Sequence, residues 1–188
     1  MQENYSVLGE RAFGADADSL TVIKYRSHHD ALKYLQSALR GPNGIGLLYG
    51  PHGAGKTTIA RELALQLSAD TDVAYVDGKQ MKPHDLLTRM LAQYGYATGD
   101  ASDEELLREL SEFAIEQTRS WQAPVLIVDN VDRMYPSTLR LLNTLAALAQ
   151  QGRFALRLLL TGDKSMQTLI ESDGMTSFIQ RDPVMYSL

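Results

Sequence analysis

The sequence predicts an α/β fold built on a parallel sheet, on three observations. Short apolar runs alternate with amphipathic stretches of helical spacing. One run, Val125-Leu126-Ile127-Val128, is apolar without alternation, the pattern of a strand covered on both faces. A glycine-rich turn, Gly50-Pro51-His52-Gly53-Ala54-Gly55, lies between another apolar run and a helical stretch, as in a strand–loop–helix crossover.

Taken in order, residues 1–26 read as an N-terminal arm, with Gly9, Gly14 and a polar Ala15-Asp16-Ala17-Asp18 stretch. Ser27-His28-His29-Asp30 reads as a capping box for a helix carrying Leu32, Leu35 and Leu39. Gly41-Pro42-Asn43-Gly44 ends that helix. Ile45 to Tyr49 is the first strand, and the helix after Lys56 turns Ile59, Leu63 and Leu67 inward. Val73 to Val76 is the second strand. Two helices follow, the second opening on a Ser102–Glu105 capping box with Leu106, Leu110 and Phe113 on one face. Val125 to Val128 is the third strand. Pro136 suits the first turn of a helix bearing Leu139, Leu142 and Leu145. Phe154 to Leu160 is expected as the fourth strand and Val184 to Leu188 as a fifth.

The 188 residues include 18 Lys and Arg against 23 Asp and Glu, a net charge of −5, with 44% hydrophobic and 22% charged residues. That is the composition of one globular domain, and it excludes disorder as the default. With no cysteine, a disulfide scaffold, a cysteine nucleophile and a zinc–thiolate site are excluded. No apolar run approaches the ~18 residues of a membrane span. Met1-Gln2-Glu3-Asn4-Tyr5 has no signal-peptide character, so a cytoplasmic location is expected. The acidic balance argues against nucleic acid as a partner. The one basic stripe, Lys24, Arg26, Lys33 and Arg40, has the form of an ordinary solvated helix face.

Gly50 to Thr57 fits G-x-x-x-x-G-K-[ST] without mismatch and sits between a strand and a helix, as a phosphate-binding loop requires. Glycines let backbone N–H groups turn inward, and the helix start adds its positive end. The nucleotide-binding set is therefore Gly50, Pro51, His52, Gly53, Ala54, Gly55, Lys56, Thr57 and Thr58, with His52 read as a solvated loop residue. Lys56 is expected on the β- and γ-phosphates of ATP or ADP and the Thr57 hydroxyl on Mg²⁺. The second metal residue is Asp129, at the end of the buried strand. Hydrolysing enzymes of this layout place Glu next, to deprotonate the attacking water; here the residue is Asn130, an amide that accepts no proton. Asp132 either substitutes for it or is a turn residue.

With both motifs in place, the chain resembles the AAA+ ATPases, and among them the general secretion pathway A-type ATPases. The resemblance runs through Phe13-Gly14, Ser27-His28-His29-Asp30-Ala31-Leu32, Tyr135-Pro136-Ser137-Thr138-Leu139, Leu160-Thr161-Gly162-Asp163 and Gln180-Arg181, with Tyr186 and Leu188 beyond. It implies a three-layer P-loop NTPase core over residues 27–188 with a five-stranded parallel sheet. It also implies a γ-phosphate sensor at Thr161 and an arginine finger at Arg181, with Arg153 and Arg157 next in line. A homo-oligomer serving envelope or secretion-apparatus proteins follows from the same resemblance. The family's helical lid should begin where the chain stops, so the chain reads as part of a longer protein, touching a membrane only through other regions. A DNA-handling AAA+ module and a nucleotide-gated scaffold with little hydrolysis are the alternatives.

Overall fold

The computed structural model describes residues 26–120 and 122–188, so the expected arm lies outside the described residues except for Arg26. Helix α1 (Arg26–Arg40) leads into strand β1 (Ile45–Tyr49), the phosphate loop and helix α2 (Lys56–Leu67). Strand β2 (Val73–Asp77) follows, then α3 (Pro83–Gln93), α4 (Asp103–Arg119) and β3 (Val125–Asp129). A 3₁₀ turn over Val131–Arg133 leads to α5 (Pro136–Ala146) and two short strands, β4 (Ala149–Gln150) and β5 (Arg153–Phe154). Strand β6 (Arg157–Gly162), helices α6 (Met166–Ile170) and α7 (Thr176–Gln180) and strand β7 (Val184–Ser187) complete the described chain.

Five strands form one parallel sheet in the order β2-β3-β6-β1-β7. Because side chains alternate across a strand, each buried strand feeds two cores. Leu47, Leu126, Val128, Leu158 and Leu160 face α3, α4 and α5, where they meet Leu86, Met90, Leu106, Leu110, Leu142 and Leu145. Leu48, Val125, Ile127 and Leu159 face the other way, onto Leu35, Leu39, Ile59 and Leu63 of α1 and α2. Sheet and two helical layers make the three-layer α/β architecture, with the phosphate loop at the carboxyl edge of the sheet, where open α/β sheets bind ligands. No helix among the described residues is long and apolar enough to cross a membrane.

The capping box at the start of α4 is present in full: Ser102 Oγ accepts the Glu105 N–H, and Glu105 accepts the Ser102 N–H at 2.8 Å. The second of those bonds, with another from the Ser102 hydroxyl to the same carboxylate oxygen, holds the Glu105 carboxyl below its usual range. The other expected box is not formed, since Ser27 lies within the first turn of α1 rather than before it. The fourth long strand also differs from expectation. Arg153–Phe154 pairs antiparallel with Ala149–Gln150 in a separate ribbon, and the sheet strand runs from Arg157 to Gly162.

Arg181 does not present a finger to a neighbour, and this corrects the role implied by the resemblance. Its side chain is 1% exposed. Nε and Nη2 donate to the Asn43 carbonyl, Nη2 also to Gly44 O at 3.1 Å, and Nη1 to Ala146 O at 3.2 Å. The guanidinium lies 4.1 Å over the Phe154 ring, a cation–π contact. Asn43 and Gly44 precede β1, whereas the phosphate loop follows it; at ~3.3 Å per residue the strand alone separates the two by roughly 15 Å. Arg153, exposed in β5, and Arg157, half-buried at the start of β6, are not closed off in this way. Burial lowers the Arg181 pKa to about 10, which still leaves it charged at neutral pH. Its work is structural: one cation satisfies the C-terminal carbonyl of α5 and the turn before β1.

Removing that cation strands buried carbonyls at ~1–3 kcal/mol each. Arg181→Ala should therefore lower the unfolding free energy by roughly 2–4 kcal/mol, and Arg181→Lys by nearly as much, because a point charge cannot fork to three acceptors. Denaturant melts of the three chains check this; an Arg181→Ala midpoint equal to wild type contradicts it.

Candidate functional site

Asp129 ends the most deeply buried strand, all five of whose residues are buried, and is itself 2% exposed. A carboxylate so placed needs donors, and it has them on both oxygens. Oδ2 accepts the Thr57 hydroxyl at 2.6 Å and the Tyr75 hydroxyl at 3.0 Å. Oδ1 accepts the Thr161 hydroxyl and the Asn130 N–H, the latter at 3.1 Å. The donors come from the start of α2, from β2, from β6 and from the residue after β3. The site is thus assembled by the sheet order rather than by any one segment.

The phosphate loop closes around Lys56, whose ammonium donates to Gly50 O and Pro51 O, both at 2.9 Å. Pro51, His52 and Gly53 are exposed, Ala54 through Thr58 half-buried. Gly55 precedes α2 at φ 91°, the left-handed region where a side chain is strained. A Cβ there would also stand 2.6 Å from the His28 ring. His28, on α1, reaches the Ala54 carbonyl with Nε2 at 3.2 Å, which ties α1 to the loop. On the facing side, Asp163 is held below the usual carboxylate range by hydrogen bonds from Ser165, with a smaller contribution from the charge of Lys56.

The structure thus brings together Lys56, Thr57, Asp129, Asn130 and Thr161 and leaves Arg181 at the opposite edge. Asp132 is a turn residue: its Oδ1 accepts the Asp163 N–H at 3.2 Å, its Oδ2 lies 3.7 Å from Arg133 Nε, and its side chain is 8% exposed. Two contacts escape a reading of the sequence. Tyr75 reads as a strand residue with a core face, and His28 as part of a cap; only spatial pairing puts them beside Asp129 and the loop. Burial, then the charge of Asp129, pushes the Tyr75 hydroxyl pKa far above its usual value, against a smaller pull from Arg61. Tyr75 is therefore a hydrogen-bond donor at any working pH. The Arg61 guanidinium lies 5.9 Å over its ring.

A family model described as an AAA domain matches residues 39–170. General secretion pathway protein A of Aeromonas hydrophila is 25% identical over 189 residues, covering 100% of this chain and 35% of that protein. The chain therefore spans about a third of the length of this curated relative. Among solved structures, Cdc6p of Pyrobaculum aerophilum aligns with a TM-score of 0.64 at 19% identity, over 94% of this chain and 48% of that one. The Aeropyrum pernix ORC2 protein in ADPNP–ADP complexes aligns with a TM-score of 0.66 at 17% identity, over 92% and 50%. At such identities these two likenesses establish the shared fold.

A hydrogen bond to a charged acceptor contributes ~1.5–3 kcal/mol. In a double-mutant cycle on unfolding free energy, Tyr75→Phe and Asp129→Asn should couple by about 1–2 kcal/mol. Strict additivity of the two changes contradicts the contact.

Proposed function

The chain belongs to the AAA domain family, and on that premise we propose that it binds ATP or ADP with Mg²⁺ and hydrolyses ATP slowly. We read it as the ATPase module of a bacterial envelope assembly machine. The observation that carries the nucleotide reading is the meeting of Lys56, Thr57 and Asp129 at the carboxyl edge of a parallel sheet, around a loop that opens a helix. In this reading Lys56 exchanges the Gly50 and Pro51 carbonyls for the β- and γ-phosphate oxygens, while the N–H groups of residues 53–57 and the start of α2 hold the phosphates. Gly50, Pro51, His52 and Thr58 form the rest of the loop's contact surface.

The donor set fits Mg²⁺. It is made of hard oxygens, one hydroxyl and one carboxylate, and no group of three or more His, Asp or Glu capable of holding an ion exists among the described residues. An ion that keeps waters and phosphates in its shell suits such a partial set. Thr57 would ligate it and Asp129 would hold its water shell. When bound, it neutralises the charge that builds on the phosphate oxygens. Thr161, which donates to Asp129 and faces the Asn130 N–H at 3.4 Å, would register the γ-phosphate. Asn130 can orient a water through its amide but takes no proton from it, hence slow turnover.

The envelope role rests on the likeness to the Aeromonas secretion protein, and the homo-oligomer and secretion-apparatus partners on the same resemblance. The DNA-handling alternative has less support: the net charge is −5, and Arg40, the end of the basic stripe, is paired with Asp70 at 3.2 Å. Asn130 favours one second reading, a nucleotide-gated scaffold that binds ATP without consuming it.

Calorimetric titration of ATP and ADP with Mg²⁺ into the chain and its Lys56→Ala variant is the test. We expect saturable heat from the first and none from the second, with a kcat below ~1 s⁻¹, under the usual enzyme range. Equal binding by the variant, or no binding by either, contradicts the nucleotide reading.

A further inference from the structure

We propose that Asp77 takes the proton of the attacking water, doing from β2 what the residue after Asp129 cannot do from β3. The proposal rests on the ATPase reading above and names the base that reading lacks.

Asn130 stands where the chemistry calls for a carboxylate. Its amide can donate to and accept from a water, but it takes up no proton at neutral pH. A base must therefore come from a carboxylate within reach of that amide, and two come near. Asp132 is nearly buried and already engaged by the Asp163 N–H and Arg133, so it fixes the tip of β6. Asp77 is different. It is the exposed last residue of β2, in register with Asp129. Its Oδ1 accepts the Asn130 Nδ2 at 3.0 Å and the Lys79 N–H at 3.1 Å. Among the described residues no hydrogen bond is made to its Oδ2, the oxygen left for water.

The backbone holds this pair in place. The Gly78 N–H donates to Asp129 O at 2.7 Å. A Cβ at 78 would lie 2.9 Å from that oxygen, 3.1 Å from Asn130 O and 2.7 Å from the Met134 side chain, so only glycine lets the two strand tips close. Asn130 itself sits at φ 54°, a left-handed conformation that asparagine tolerates better than most residues. Amide and carboxylate thus form one hydrogen-bonded unit, with the negative charge on β2 and the amide beside Asp129.

In the step this implies, the water oxygen bonds to the γ-phosphorus as the bond from phosphorus to the β–γ bridging oxygen breaks. ADP leaves with that electron pair, and the water's proton passes to Asp77 Oδ2, giving ADP and phosphate. Asp77 lies one strand farther from the loop than residue 130, since β2 is outside β3 in the sheet. A base set back in this way deprotonates less well than one in ideal position, in keeping with slow turnover.

The test compares the full chain with Asp77→Asn, Asn130→Asp and the double swap Asp77→Asn/Asn130→Asp, which keeps one amide and one carboxylate but exchanges their strands. Phosphate release and calorimetric ATP affinity are measured for each. We expect Asp77→Asn to lower kcat about 10²-fold or more with affinity unchanged, and the swap to recover at least wild-type kcat. Undiminished kcat in Asp77→Asn, or a swap no faster than that variant, overturns the proposal. A wild type that binds ATP but releases no phosphate above the Lys56→Ala background also overturns it, and leaves nucleotide binding standing. A wild type that binds no ATP removes both.

Discussion

The buried carboxylate of Asp129 is the constraint from which the site follows. At 2% exposure it must be met by donors, and four of them converge on its two oxygens from Thr57, Tyr75, Thr161 and the Asn130 backbone. Each donor is set by a different part of the fold: the first turn of α2, the middle of β2, the end of β6 and the turn after β3. Parallel pairing of β3 with β6 brings Thr161, next after the Val128–Leu160 pair, beside Asp129, while on β2 Tyr75 sits opposite Ile127 and its long side chain reaches the carboxylate from two residues below. The sheet is in this sense a jig for a single side chain, and the apolar runs on its two faces hold the jig rigid.

The two edges of the sheet hold their cations differently. At the carboxyl edge Lys56 is half-buried in an exposed loop and donates to the loop's carbonyls, while Asp129 and Thr161 beside it are buried. At the amino edge Arg181 is closed off, with its donors satisfied by carbonyls and its plane covered by Phe154. The same residue type at the first edge could act on a ligand; at the second it fastens α5, α7 and the turn before β1 together. Its charge is held by carbonyl dipoles, among them the last carbonyl of α5, where a helix end is negative.

Much of this was legible in the sequence because its signals are local. Gly50 to Thr57 and the Val125–Asp129 run encode their own loop and strand, and the Ser102–Glu105 box is complete within four residues. Non-local matters were not legible. Nothing near Arg181 in the sequence tells that its side chain is buried, so the resemblance suggested a finger there. Tyr75 alternates with Ala74 and Val76 as any half-buried strand residue would, and only the register of β2 against β3 turns its hydroxyl toward Asp129. Phe154 looked like the start of the fourth strand because it is apolar and followed by apolar residues. Gly152, at φ 77°, instead turns the chain back on itself and sends Phe154 into a short ribbon.

The central claim is that Asp129 gathers its donors in order to hold a metal–nucleotide complex, and metal linkage tests it most directly. ATP affinity is to be measured with and without Mg²⁺ for the wild type and for Asp129→Asn, a change that preserves shape and removes charge. The account predicts that Mg²⁺ tightens binding to the wild type and leaves the variant's affinity where it was. An equal gain from Mg²⁺ in both chains would contradict it and place the metal site elsewhere.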